Sequence, residues 1–99
     1  MIEKKPSPDS KHVLVTFHFR GAPWANRVNL VGTFNDWKTS ETSMEQDPDG
    51  LTWFVTLKLE AGREYEFRYL IDGNEWRNDW YADKYVPNAF GSKNSVIAL

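Results

Sequence analysis

Two stretches of strict alternation constrain this chain more than any other feature. Leu51, Trp53, Val55, Leu57 and Leu59 recur at every second position, and after a short break so do Tyr65, Phe67, Tyr69 and Ile71. Successive side chains of an extended chain point to opposite faces, so an apolar set with a period of two marks a strand buried on one side. The opposite faces carry Thr52, Phe54, Thr56 and Lys58 in the first run and Glu64, Glu66, Arg68 and Leu70 in the second. No window carries a sustained helical period of 3.6 residues.

The rest of the chain supplies the remaining strands and turns. Val13, Val15, Phe17 and Phe19 alternate with His12, Thr16, His18 and Arg20, with Leu14 the one apolar residue on the second face. The connection Gly21-Ala22-Pro23-Trp24-Ala25-Asn26 leads to Arg27–Val31, and a hairpin between these two runs is the economical reading. Asp47-Pro48-Asp49-Gly50 is a tight turn, Ala61-Gly62 reverses the chain, and Asp72-Gly73 is a strong hairpin signal before a short strand at Glu75–Arg77. Residues 78–92 read as irregular and Val96–Leu99 as a last strand. Met1–Ser10, with two prolines and mixed charges, offers little to bury and reads as a disordered tail or linker, which leaves residues 11–99 as one folded domain. The expected fold is an all-β, immunoglobulin-like antiparallel β-sandwich. The chain has no cysteine, which excludes the disulfide of antibody-type domains and agrees with a reducing compartment.

Charge narrows the partners. Twelve basic and 14 acidic residues give a formal charge of -2, without the basic footprint that nucleic acid or an anionic membrane requires. The first ten residues lack a signal-type apolar stretch and no run reaches membrane-spanning length, so a soluble, cytoplasmic protein is expected. His12 and His18 lie roughly 20 Å apart along one strand at ~3.3 Å per residue, too far to share a metal. Asp47 and Asp49 lack the further ligands of a calcium loop, and Asp79 and Asp83 lack the cleft that a glycosidase pair would need. Neither a catalytic set, nor a metal site, nor a cofactor site is expected.

Two of the five tryptophans fall where a core would not place them. Trp37 closes the polar turn Gly32-Thr33-Phe34-Asn35-Asp36, and Trp76 follows Asp72-Gly73-Asn74-Glu75. Alternation turns Arg68 outward on the strand that leads to Trp76. On its own that arrangement is either a surface cation–π pair or half of a sugar site, in which a flat ring stacks on the C–H face of a hexose while Arg and Asn bond its hydroxyls. Trp53, Phe67 and Tyr69 belong to inward stripes and read as core, Trp24 reads as a lid on the core's edge, and Trp80 and Tyr81 stay open.

Three blocks carry a resemblance: Val28-Asn29-Leu30-Val31-Gly32-Thr33-Phe34-Asn35-Asp36-Trp37, Tyr65-Glu66-Phe67-Arg68-Tyr69-Leu70-Ile71-Asp72-Gly73-Asn74-Glu75-Trp76, and Phe90-Gly91-Ser92-Lys93-Asn94-Ser95-Val96. In this order they resemble carbohydrate-binding module family 48, which includes the glycogen-binding domain of the AMP-activated protein kinase β subunit and the early-set domains of isoamylases and branching enzymes. The resemblance implies non-catalytic binding of α-1,4-linked glucan (glycogen, starch, maltooligosaccharides), with a glucan-metabolising enzyme or kinase as a further partner. It places the sugar grip on Trp37 and Trp76, the cation on Arg68 where lysine is usual, the wedge on Phe90 where leucine is usual, and the hydroxyl and amide on Ser92 and Asn94. Residues 78–88 resemble the version found in small stand-alone bacterial proteins of this type, which implies a complete chain. The competing expectation is an early-set domain that has no sugar site and docks on a protein.

Overall fold

The computed structural model describes residues 2–99. Nine strands follow one another: β1 Ile2–Pro6, β2 His12–Phe19, β3 Val28–Gly32, β4 Glu45–Gln46, β5 Trp53–Glu60, β6 Glu64–Ile71, β7 Glu75–Arg77, β8 Lys84–Pro87 and β9 Lys93–Ala98, with one 3-10 turn at Thr33–Asn35. They form two antiparallel sheets, one ordered β1-β2-β5-β4 and the other β3-β6-β9-β8, with β7 paired to β6. The apolar stripes face each other between the sheets, as the expected sandwich requires.

The two alternating runs become β5 and β6, except that Leu51, expected on the inward stripe, precedes β5 and is exposed. Trp53 and Leu59 are buried on β5, and Phe67, Tyr69 and Ile71 on β6, where they meet Val15, Phe17, Leu30, Val28 and Ile97. Phe17 stands edge-on to Phe67 at a centroid distance of 5.1 Å, and Phe19 stacks on Tyr69 at 4.5 Å. The buried Trp53 indole donates to the Ala22 carbonyl at 2.9 Å, so its polar atom is satisfied.

Four expectations change. Residues 2–6 form a strand, with Ile2 opposite Phe17 and Pro6 opposite Val13. Lys4 on this strand reaches across to the other sheet, where its ammonium meets Asp83 at 2.7 Å and the Ala98 carbonyl at 3.2 Å. The chain then turns through a buried Ser7, whose N–H donates to the His12 carbonyl, and Asp9, whose carboxylate accepts from the N–H groups of Lys11 and His12. Secondly, β2 and β3 do not form a hairpin: β1 and β5 occupy both edges of β2, so the chain crosses to the other sheet and β3 pairs with β6. Thirdly, the stretch read as irregular contains β8, and the last strand begins at Lys93. Finally, Trp24 is 61% exposed, and its neighbours Ala22 and Ala25 close that edge of the core instead.

Candidate functional site

The strands of the β3-β6-β9-β8 sheet and the paired β7 bring Arg68, Trp76 and Asn94 to one outer face, while Trp37, Phe90 and Ser92 lie in the turns around it. Leu70 of β6 lies between Asn29 of β3 and Trp76 of β7. Two residues back along β6, Arg68 lies beside Val31, and the β6–β9 register extended by one residue sets Asn94 on its other side. The Arg68 guanidinium carbon stands 5.8 Å from the centroid of the Trp76 ring. Arg68 is half-buried and its Nε has no hydrogen-bond partner within the protein. Trp76 is 39% exposed. Arg68 faces outward, as alternation predicts, and its guanidinium is in contact with the neighbouring indole.

The turn that presents Trp37 uses nearly every residue of its sequence. A Cβ on Gly32 would stand 2.9 Å from Phe67 Cβ and closer still to the Glu66 carbonyl oxygen, so only glycine fits there. Thr33 Oγ1 accepts from the Glu66 N–H, and the Phe34 ring lies 6.1 Å from Phe17 and 6.2 Å from Tyr65. Asn35, buried, accepts from the Gly32 N–H and donates to the Leu30 carbonyl and to Thr42 Oγ1. Asp36 and Trp37 then both take positive φ, at 56° and 58°. Neither is glycine, and a bulky residue in this region carries strain of roughly 1–3 kcal/mol. The Trp37 N–H closes the turn on the Gly32 carbonyl at 2.9 Å. Trp37 itself is half-buried and follows the end of β3, about four residues along the sheet from the Trp76 row, or ~13 Å at ~3.3 Å per residue.

A type I′-like turn sets the position of Trp76. Asp72 and Gly73 have φ of 50° and 75°, the Asn74 N–H returns to the Ile71 carbonyl, and Asp72 Oδ1 accepts from the N–H groups of Asn26 and Arg27. Beside Trp76 the surface dips into a hollow lined by Arg27, Asn29, Thr39, Ser40, Ser43 and Leu70, a set rich in hydroxyl and amide groups.

Phe90 and Ser92 sit on the five-residue tip of the β8–β9 hairpin. Asn88 holds that tip: its N–H donates to the Ser92 carbonyl and its Oδ1 accepts from the N–H groups of Phe90 and Ser92, while Gly91 takes a φ of 77°. The result is a ring 92% exposed on a braced loop. Asn94 is placed differently from a simple hydroxyl donor. It is 8% exposed, its Nδ2 donates to Glu66 Oε1 at 3.0 Å and its Oδ1 accepts from Asn88 Nδ2 at 3.1 Å. Its amide joins the outward Glu66 to the residue that braces the Phe90 tip. Glu66 and Asn88 are the residues that sequence reasoning did not single out; alternation already turned Glu66 outward, whereas Asn88 gave no pattern.

The remaining acidic candidates have structural partners. Asp79 is buried, with Oδ2 accepting from the Tyr69 hydroxyl at 2.5 Å and Oδ1 from the Tyr81 N–H at 2.6 Å. Burial, with the Asp79 carboxylate adding to it, pushes the Tyr69 hydroxyl well above its ordinary pKa. Asp83 is bound to Lys4 and to the Ala98 N–H. Among the described residues no group of three or more His, Cys, Asp or Glu side chains could hold a metal, and no helix is long and apolar enough to cross a membrane.

Comparison with known proteins agrees with the sandwich. The structure matches the enterobactin esterase FES of Shigella flexneri in the presence of 2,3-di-hydroxy-N-benzoyl-serine, at a TM-score of 0.77 and 15% identity, over 99% of this chain and 32% of the esterase. The same esterase with 2,3-di-hydroxy-N-benzoyl-glycine gives 0.75 and 14%. At such identities the likeness is one of fold. In sequence, the 1,4-alpha-glucan branching enzyme GlgB of Salinibacter ruber is 32% identical over 80 residues, which are 79% of this chain and 13% of the enzyme. The chain therefore spans a small part of the relatives it matches. The model of carbohydrate-binding module 48, the isoamylase N-terminal domain, matches residues 7–86, a range that holds Trp37, Arg68 and Trp76 and ends before Phe90. With four-fifths of its length inside that match, the chain belongs to the carbohydrate-binding module 48 family.

Proposed function

We propose that this module binds α-1,4-linked glucan, as glycogen, starch or maltooligosaccharide, on the outer face of the β3-β6-β9-β8 sheet, and that it does so without catalysis. Trp37 and Trp76 stack on sugar faces, Arg68 donates to hydroxyls, Phe90 wedges into the curve of the glucan, and Ser92 contributes a hydroxyl. Asn94 holds Glu66 and the hairpin tip in place and keeps one amide hydrogen for the ligand. The observation that carries the reading is the contact between Arg68 and Trp76: an outward guanidinium whose carbon stands 5.8 Å from the centroid of a partly exposed indole, in a member of this family. Ring and cation together supply what a hexose needs, an apolar face and in-plane donors.

Two or three aromatic contacts of about 0.5–1.5 kcal/mol each, with several hydrogen bonds of similar net worth, correspond to millimolar to tens-of-micromolar affinity. Many sites on one polymer raise the effective concentration enough for such a module to hold a granule. A chain with no cysteine suits work beside a glucan store in the reducing cytoplasm. Titration of the purified chain with maltoheptaose tests the reading: Trp37→Ala and Trp76→Ala each weaken binding at least threefold, and a variant that binds as tightly as the parent removes that ring from the site.

A second reading, a domain that docks on a catalytic unit or kinase partner, draws on the share of the branching enzyme that this chain matches, 13%. Pull-down on glycogen followed by elution with maltoheptaose separates the two, since a docking domain is not retained.

A further inference from the structure

The platform does not account for two of the most exposed rings in the chain. Trp80 is 86% exposed and Tyr81 67%, side by side in the connection between β7 and β8. They border a groove of about 430 Å³ whose other wall is the end of β2 and the turn after it, with Arg20 and Gly21 on that wall and Arg77 and Asn78 on the near one. The backbone that carries the rings is locked. Asp79, immediately before them, accepts from Tyr81 N–H through its side chain, donates its own N–H to Ser95 Oγ at 2.9 Å, and accepts from the Tyr85 hydroxyl through its carbonyl at 2.5 Å. Asn78 is fixed in the same way, donating to the Lys93 carbonyl and accepting from Ser95 Oγ. Exposed aromatics on a rigid mount lose little entropy when something stacks on them.

The groove lies on the other side of β7 from the platform. Trp76 is opposite Leu70, which faces out, whereas Arg77 is opposite Tyr69, which faces the core. Consecutive residues of one strand therefore point to opposite faces, Trp76 to the platform and Arg77 to the groove. The Arg77 guanidinium lies 3.7 Å from the place a Cβ on Gly21 would occupy, and it is braced by Glu75. Arg20, exposed, stands across from it.

We propose that this groove is a second carbohydrate site, independent of the first, in which Trp80 and Tyr81 stack on sugar rings and Arg20 and Arg77 bond hydroxyls. Its volume falls in the range of small-ligand sites, and two adjacent exposed rings with the Arg20 and Arg77 guanidiniums beside them supply the apolar faces and the donors that a sugar needs. A short segment of the same α-glucan is the ligand that fits. The proposal shares only its ligand class with the reading above, and it makes the module bivalent. Because the sites face opposite ways, one chain can join two glucan strands.

Indole N–H signals of the ¹⁵N-labelled protein test this during titration with maltoheptaose. Both the Trp76 and Trp80 signals shift, each saturating on its own curve. Trp76→Ala leaves the Trp80 shift in place, and Trp80→Ala with Tyr81→Ala leaves that of Trp76. A Trp80 signal that stays still while Trp76 saturates overturns the second site and leaves the platform standing; movement of Trp80 alone sinks the platform and keeps the groove. Loss of the Trp80 shift in Trp76→Ala makes the two one continuous site and overturns their independence. A Trp80 signal that moves with protein concentration and not with sugar assigns the groove to a second copy of the chain, against the proposal. Bivalency has its own readout, turbidity of glycogen at low protein ratios, which falls at least threefold in Trp80→Ala.

Discussion

Asp79 offers the sharpest test of how this structure is held, because its carboxylate is a buried charge whose partners are fully specified. The side chain accepts two hydrogen bonds, from the hydroxyl of the fully buried Tyr69 and from the Tyr81 N–H. Asp79→Ala leaves the Tyr69 hydroxyl without an acceptor in a place water does not reach, at about 1–3 kcal/mol. The Tyr81 N–H lies nearer the surface and recovers a water, while the cost of burying a carboxylate is relieved. The sum is about 1–3 kcal/mol. Asp79→Asn keeps the shape and one acceptor, and the rotatable Tyr69 hydroxyl can turn to accept from the new amide, so its loss is about 1 kcal/mol. Tyr69→Phe leaves the carboxylate buried with a single donor, and the double variant Tyr69→Phe/Asp79→Asn should cost about 1–2 kcal/mol less than the two single changes added. Urea unfolding followed by tryptophan fluorescence measures all four at unchanged m-value; in a thermal scan Asp79→Ala corresponds to a fall of about 5–20 °C for a domain of this size. Equal stability of the Ala and Asn variants, or additivity in the double, would refute the bookkeeping.

Gly32→Ala forces a methyl against the Glu66 backbone and should cost about 2–4 kcal/mol by prising β3 from β6, seen as a lower urea midpoint. Arg68→Met keeps the stem but not the guanidinium: maltoheptaose affinity should fall about 5–30-fold with thermal stability within ~0.5 kcal/mol, and unchanged affinity would take Arg68 out of the site. Acid and alkaline limits have different origins. Backbone donors at Lys11 and Leu51 hold the carboxyls of Asp9 and Asp49 below the ordinary range, and at Asp83 burial pushes up but the Lys4 ammonium and the Ala98 N–H prevail. Their stabilisation is complete above the unfolded carboxyl range near pH 4 and fades as pH falls below it. Tyr69, raised, gives the reverse: stability falls as pH climbs above 10, by up to about 1.4 kcal/mol per unit, and Tyr69→Phe flattens that limb of a pH–stability curve.

What could be read in advance was whatever leaves a mark on side-chain pattern. The stripes of β5 and β6 are visible because burial of one face selects their residues, and the same alternation turned Arg68 and Glu66 outward. β1 was missed because Glu3, Lys4 and Lys5 are exposed; it is held largely by main-chain bonds to β2, which any sequence can make. The supposed β2–β3 hairpin failed for a related reason: alternation states that a run is a strand but not which edge it joins, and β5 had the better claim to β2. At the site, ring and cation were legible, but the commitment of Asn94 to Glu66 and Asn88 was not, since a buried amide and an exposed one are spelled alike.

The left-handed backbone at Trp37 has a consequence for how such chains change over generations. Glycine would occupy that position with less strain, so Trp37→Gly should ease the turn by up to about 1 kcal/mol, less whatever packing its half-buried ring provides, while removing a ring from the platform. Where the relief of strain exceeds that packing, selection for folding alone favours glycine over this tryptophan. If Trp37 stacks on glucan as proposed, a lineage released from sugar binding is expected to lose it before the buried Asn35 of the same turn, which holds the Gly32 N–H and the Leu30 carbonyl.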